Sequence, residues 1–252
     1  MKTKSEGRVM DYLAIILAVI LVAGAGIVFA VDPEGATLTN VSTSQKAASQ
    51  PNIGNHSKGA INTIRLSSVQ QDQKWKAYVG NVSSSFVLDD SDGYSIYQWT
   101  VSSFTGQVYI TRDTPTWANI ACANETNKSA EDTMLTQSSL SSDSVNKTFA
   151  TQTHKGFTVG GKSIVASTCF ATATWVNDTS QTLTVNSPFQ EVLLWDGDAM
   201  VYTTFVENDR HGYRGDESTT NTTYDFQAIV PENATAGSPN LFYYFYIELF
   251  SS

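Results

Sequence analysis

Nine asparagines of this 252-residue chain stand in Asn-x-Ser/Thr triplets: Asn40, Asn55, Asn81, Asn124, Asn127, Asn146, Asn177, Asn221 and Asn233. The amide in such a triplet is the acceptor for N-linked sugar, and no triplet here has proline at its middle position. The chain has fifteen asparagines and 58 serines and threonines. Chance would supply about three or four triplets from that composition. The excess predicts a glycosylated, exported protein and marks stretches that must face solvent. The other modification chemistry belongs to Cys122 and Cys169, the only cysteines. Outside the cell a single pair is most simply a disulfide; two unpaired buried thiols are the plainer alternative.

Catalytic chemistry finds little support. His56, His154 and His211 are scattered, no two of them have metal-ligand spacing, and no Gly-x-Ser-x-Gly elbow occurs. Only His154 and His211, both in Gly-flanked loops, offer a base for a hydrolase. Asp89-Asp90-Ser91-Asp92-Gly93 resembles part of a calcium loop, but Leu88 fills the first ligand position. The stretch reads better as a polar turn, as do Asp196 and Asp198. Arg214-Gly215-Asp216 spells an adhesion-type tripeptide in a polar stretch. Tyr213, beside Gly212 and Gly215, is the best placed aromatic for stacking on a sugar, while most other aromatics follow strand periodicity and read as core. The expectation is therefore no catalytic, cofactor or metal residues.

The elements that position these groups begin with residues 13–31, nineteen positions without a charge. As a helix they span roughly 28 Å, close to the ~30 Å hydrocarbon core of a bilayer. Lys2, Lys4 and Arg8 precede them and Asp32 and Glu34 follow, which places the rest of the chain outside the cell. The segment suits a cleaved signal peptide ending near Ala30, a retained anchor, or a pilin-like helix. Its many small residues (Ala14, Ala18, Ala23, Gly24, Ala25, Gly26, Ala30) suit close helix packing. The predicted order is a basic N-terminus (1–12), the apolar helix (13–31), a polar stalk (32–60) and a β-domain (61–252). The net charge of −9 leaves no basic patch to neutralise phosphates, which argues against nucleic acid as a partner.

Ser/Thr-rich sequence with eleven tyrosines and twelve phenylalanines suits pleated sheets. Period-two alternation predicts strands at residues 97–101, 107–111, 163–176, 190–195, 200–206 and 224–230. Asp196-Gly197-Asp198 between two of them is a hairpin signal. Residues 241–250 are almost wholly apolar and predict a central strand buried on both faces, or one supplied to a neighbour. Ile120 with Cys122, and Val165 with Cys169, Ala171, Ala173 and Trp175, are each expected to share a face. Helix is expected only near residues 129–136. The fold class that follows is mainly β, an Ig-like or jelly-roll sandwich.

Ile120-Ala-Cys122-Ala-Asn124, Glu191-Val-Leu-Leu with Val201-Tyr-Thr-Thr204, residues 225–233 (Asp-Phe-Gln-Ala-Ile-Val-Pro-Glu-Asn) and residues 243–249 (Tyr-Tyr-Phe-Tyr-Ile-Glu-Leu) resemble a family of secreted proteins of small-genome, DPANN-type archaea. The resemblance covers residues from Trp75 onward and implies an archaeal surface location without an assigned activity. The architecture is also similar to that of archaeal pilins and archaellins. It departs from them at Ser5 and Glu6, where pilin precursors carry a basic residue before Gly7, and at Asp11 within the helix. Together these features predict a non-enzymatic, self-assembling subunit of an extracellular filament, carrying N-linked glycans and meeting the membrane at least transiently. The alternative is a membrane-anchored monomeric adhesin or sugar-binding module.

Overall fold

The central strands of the chain's largest sheet are buried on both faces. The computed structural model describes residues 31–101, 103–217, 220–235 and 237–251. The basic segment 1–12 and the apolar segment, Val31 excepted, lie outside the described residues. Among the described residues no helix is long and apolar enough to cross a membrane.

The unit from Asp32 to Ser252 is mainly β, and all its strand pairs are antiparallel. The centre of its seven-stranded sheet runs β15 (Tyr244–Ser251), β5 (Phe104–Thr111), β11 (Met200–Phe205), β10 (Gln190–Trp195). Outside β15 lies β1 (Glu34–Gly35). Outside β10 two short strands lie end to end, β9 (Ala171–Ala173) and β6 (Ala121–Cys122).

Alternation sorts the core in two. Val108, Ile110, Leu193, Met200, Tyr202 and Phe245 face a cluster closed by the ribbon of β2 (Trp75–Gly80) and β14 (Phe226–Pro231) and by two helices. These are α1 (Glu125–Met134) and α2 (Val145–Thr148). Tyr109, Val192, Leu194, Val201 and Phe205 face the opposite cluster. That one is closed by Trp117, Ile120 and the hairpin of β7 (Phe157–Val159) and β8 (Lys162–Ile164). Two further hairpins complete the unit, β3 (Phe86–Asp89) with β4 (Ser95–Trp99) and β12 (Arg210–Glu217) with β13 (Thr220–Tyr224).

The strands expected at 107–111, 190–195 and 200–206 are β5, β10 and β11, and Asp196 makes the expected turn. Its Oδ1 accepts the Asp198 and Ala199 amides at 2.9 and 2.7 Å. The single strand expected over 163–176 is instead two. β8 ends at Ile164, Val165 is 64% exposed, and the chain turns before β9. Ser167 adopts φ 61°, which no continuous strand permits. The strand expected at 224–230 splits at Asp225, whose carboxylate accepts the Val82 and Asp209 amides at 2.7 Å each. Helix α1 begins four residues before the expected start because Asn124 and Asn127 cap it reciprocally, each side chain accepting the other's amide at 2.9 Å.

Glu34 and Gly35, within the stretch read as a stalk, are paired into the main sheet. From there residues 36–73 are exposed throughout and contain no strand or helix, so this excursion leaves the main sheet and ends at β2 of the separate β2–β14 ribbon.

Candidate functional site

Strand β15 carries the site. Its register with β5 is continuous from Tyr244↔Thr111 to Ser251↔Phe104. Gly106 makes that approach possible: a Cβ there would stand 2.0 Å from the Glu248 carbonyl oxygen. Among the described residues β15 is paired on its outer side only at Glu34↔Ile247 and Gly35↔Tyr246, with one further bond from the Ala36 amide to the Phe245 carbonyl at 2.9 Å. No strand among the described residues covers the outer side of 248–251. The expectation of a centrally buried final strand is thereby corrected: Phe245 is buried, but Tyr244 is 54% and Phe250 42% exposed.

Glu248 turns inward from this edge. It accepts the Tyr109 hydroxyl at 2.8 Å and the Gly160 amide at 3.2 Å. Burial raises its pKa against those two hydrogen bonds, and the neighbouring Asp32 carboxylate adds to the rise. An inward charge on an edge strand is a known guard against indiscriminate pairing. Gly160 lies in the β7–β8 turn with φ +52°, and Asp32 fills the space beside it, 3.0 Å from where a Cβ would be. Pro33 is buried. Residues 32–36 therefore occupy a shaped slot made by β15 and the β7–β8 turn.

The chain matches no protein-family model, no curated protein and no solved structure.

The modification residues fall as follows. Cys122 and Cys169 form a disulfide that ties β6 to the residues leading into β9. Asn40, Asn55, Asn81, Asn124 and Asn177 are exposed, and Asn127, Asn146 and Asn233 are half-buried. The Asn233 side chain accepts the Thr235 amide at 2.8 Å, folding its own triplet into a turn. Asn146 donates its amide to Ser129 at 3.3 Å and Glu125 at 3.4 Å. Asn221 lies in β13, and its side chain is outside the described residues.

The histidines are not brought together into a site. His154 is buried, and both ring nitrogens are engaged: Nδ1 donates to the Lys155 carbonyl at 2.7 Å, while Nε2 accepts the Cys169 and Thr168 amides at 2.9 and 3.2 Å. Burial lowers its pKa and favours this neutral tautomer. Its work is to fix the backbone at the disulfide. His211 lies in β12 and His56 in the exposed excursion. The Asp89–Gly93 stretch is the β3–β4 turn, where Asp90 Oδ1 accepts the Asp92 and Tyr94 amides at 2.9 Å each. No cluster of His, Cys, Asp or Glu with metal-holding geometry occurs among the described residues.

Two surface expectations change. Arg214-Gly215-Asp216, expected in a polar stretch, lies within strand β12. Tyr213 is 42% exposed, with one ring face stacked on Tyr224 at 5.6 Å. Aromatics read as core emerge instead on the β3–β4 hairpin, where Tyr94, Tyr97 and Trp99 are 75, 60 and 47% exposed. The signal for this was their isolation between Ser/Thr-rich and Asp/Gly-rich stretches, which leaves the ribbon no neighbouring strand to lie against.

Proposed function

We propose that this chain is a glycosylated structural subunit of an extracellular filament, with no enzymatic role, built from copies of itself on an archaeal-type cell surface. The observation that carries the reading is the outer edge of β15, which two residues of β1 cover only in part. Unpaired strand edges recruit further strands, and extended-strand addition combines backbone hydrogen bonds with side-chain burial. Supporting it are the disulfide, which suits an oxidising compartment, and the exposure of most asparagines in the sugar-acceptor triplets. The main sheet layered on the β2–β14 ribbon supports a sandwich of Ig-like or jelly-roll type. The apolar segment 13–31 would cross or enter the membrane at least during export and lead the chain into the filament core. A buried, fully hydrogen-bonded His154 and scattered remaining histidines support the absence of hydrolytic chemistry; the acidic net charge supports the absence of nucleic acid.

A second reading, a membrane-anchored monomeric adhesin or sugar-binding module, draws on the exposed aromatic hairpin. Electron microscopy of native surface material separates the two. Helical filaments that label with an antibody to this chain are expected; detergent-soluble monomers alone would sink the filament reading and favour the second.

A further inference from the structure

We propose that β1 is an exchangeable strand, and that the slot on β15 is filled by residues 32–36 of a second copy of this chain when subunits assemble. This deepens the filament reading and rests on it.

Three observations meet at β1. The slot is specific in shape and chemistry: Pro33 is buried, Asp32 fits the space that Gly160 leaves, and the ladder has a defined register. Yet the strand is short, two paired residues with one further backbone bond. Elements held by so few bonds open at far less than the global unfolding free energy. Finally, the connection to the body is long and loosely held. Residues 36–73 are all exposed, and among the described residues only the Ala36 amide and the Asp72 carboxylate, which accepts the Lys74 amide at 2.8 Å, bond outside the segment. Their longest-range bonds are internal, from Lys46 to Gln71 at 2.7 Å and to the Val69 carbonyl at 2.9 Å.

Reach does not limit exchange. Thirty-eight residues extend to at most about 130 Å, and as a flexible coil they average roughly 35 Å end to end. The contacts made in a neighbour's slot are those made in the chain's own slot, so exchange costs little enthalpy and is driven by whatever else the assembled subunits bury. Each copy donates β1 and accepts at β15: passed on from copy to copy, this head-to-tail pairing propagates into a filament, whereas reciprocal exchange between two copies closes into a dimer.

The register supplies the test. Because Ala36 and Phe245 form a hydrogen-bonded pair, Gly35 and Tyr246 form a non-hydrogen-bonded one. Such pairs have Cα atoms about 4.5 Å apart, within disulfide reach. A Cβ added at Gly35 meets nothing within 4 Å. Full-length Gly35→Cys and Tyr246→Cys chains, mixed under assembly conditions and oxidised, should give a disulfide-linked species of twice the chain mass. Peptide mapping should find position 35 joined to position 246. The double variant should give a ladder of multiples.

Tyr246 packs against Trp117, so a second pair guards against misfolding. Continuing the register by two residues sets Thr37 opposite Tyr244, both exposed. Only intrachain bridges in both double variants, with no mixed dimer from either pair of single variants, would overturn the exchange. Microscopy of the same samples separates the two levels. Filaments with intrachain bridges alone reject exchange and keep the filament reading. Interchain bridges without filaments uphold exchange and reject the filament, and absence of both rejects both.

Discussion

Glu191 is wholly buried on β10, facing the β2–β14 ribbon. Its Oε2 accepts the Ile229 amide at 2.9 Å, and its Oε1 has no partner among the described residues. Burial drives its pKa well above the ordinary carboxylate value, against the pull of that one hydrogen bond. The folded protein thus binds a proton here that the unfolded chain releases near pH 4.5. Between those two pKa values the native state holds more protons, so stability falls as pH rises, by up to about 1.4 kcal/mol per pH unit. Glu191→Gln keeps the shape and an acceptor for Ile229 and removes the titration. Thermal melts should show the variant gaining on the parent as pH rises from 5 to 8; a gap constant across that range would refute the assignment. From the sequence Glu191 belongs to an apolar strand, and nothing local says it is buried. The donor it satisfies is an amide 38 residues away, brought there by the ribbon.

At the scale of elements, β5, β10 and β11 were legible from period two and the Asp196 turn, whereas β2 and the β12–β13 hairpin, of five to eight residues each, were not. Nor were the short strands. β6 and β9 have two and three residues and exist because β10 offers an edge and the Cys122–Cys169 bridge holds them to it. The bridge closes a loop 47 residues apart in sequence, worth about 4 kcal/mol in the chain-entropy account. Paired Cys122→Ser and Cys169→Ser substitutions should lower stability to denaturant by up to that amount. Hydrogen exchange should accelerate first at Ala123 and Ala171, whose amides donate to Leu193 and Thr151. Uniform acceleration across β5 and β11 would mean that the bridge supports the sheet as a whole. His154, read in the sequence only as a weak candidate base, belongs to this element: its ring holds the amides of Thr168 and Cys169.

For the whole molecule, the apolar and polar runs of the chain predicted a stalk between helix and domain. Composition does reveal that residues 36–60 are exposed, but residues 61–73, read as the start of the β-domain, are exposed and without strand as well. What it does not reveal is that Glu34 and Gly35 return to the last strand, because two residues carry no periodicity and the pairing spans over two hundred positions. That contact turns a spacer into a tether and gives it a length requirement. Lys46 is hydrogen-bonded to Gln71 and Val69, so the two arms of the excursion already lie side by side. Deleting residues 48–68 joins them with little strain and leaves eighteen positions between β1 and β2, a reach of at most about 60 Å. Shortening a flexible loop by about half changes closure entropy by only about 0.6 kcal/mol, so the melting temperature of the body should stay within a few degrees of the parent. Own-slot docking survives the deletion, whereas donation to a neighbour loses more than half its reach. The deleted chain should therefore fold, keep its disulfide and extend filaments more slowly and to shorter lengths than the parent. Filaments of normal length from a normally stable deletion variant would show that subunits join through another surface, for which the aromatic β3–β4 hairpin is the next place to substitute.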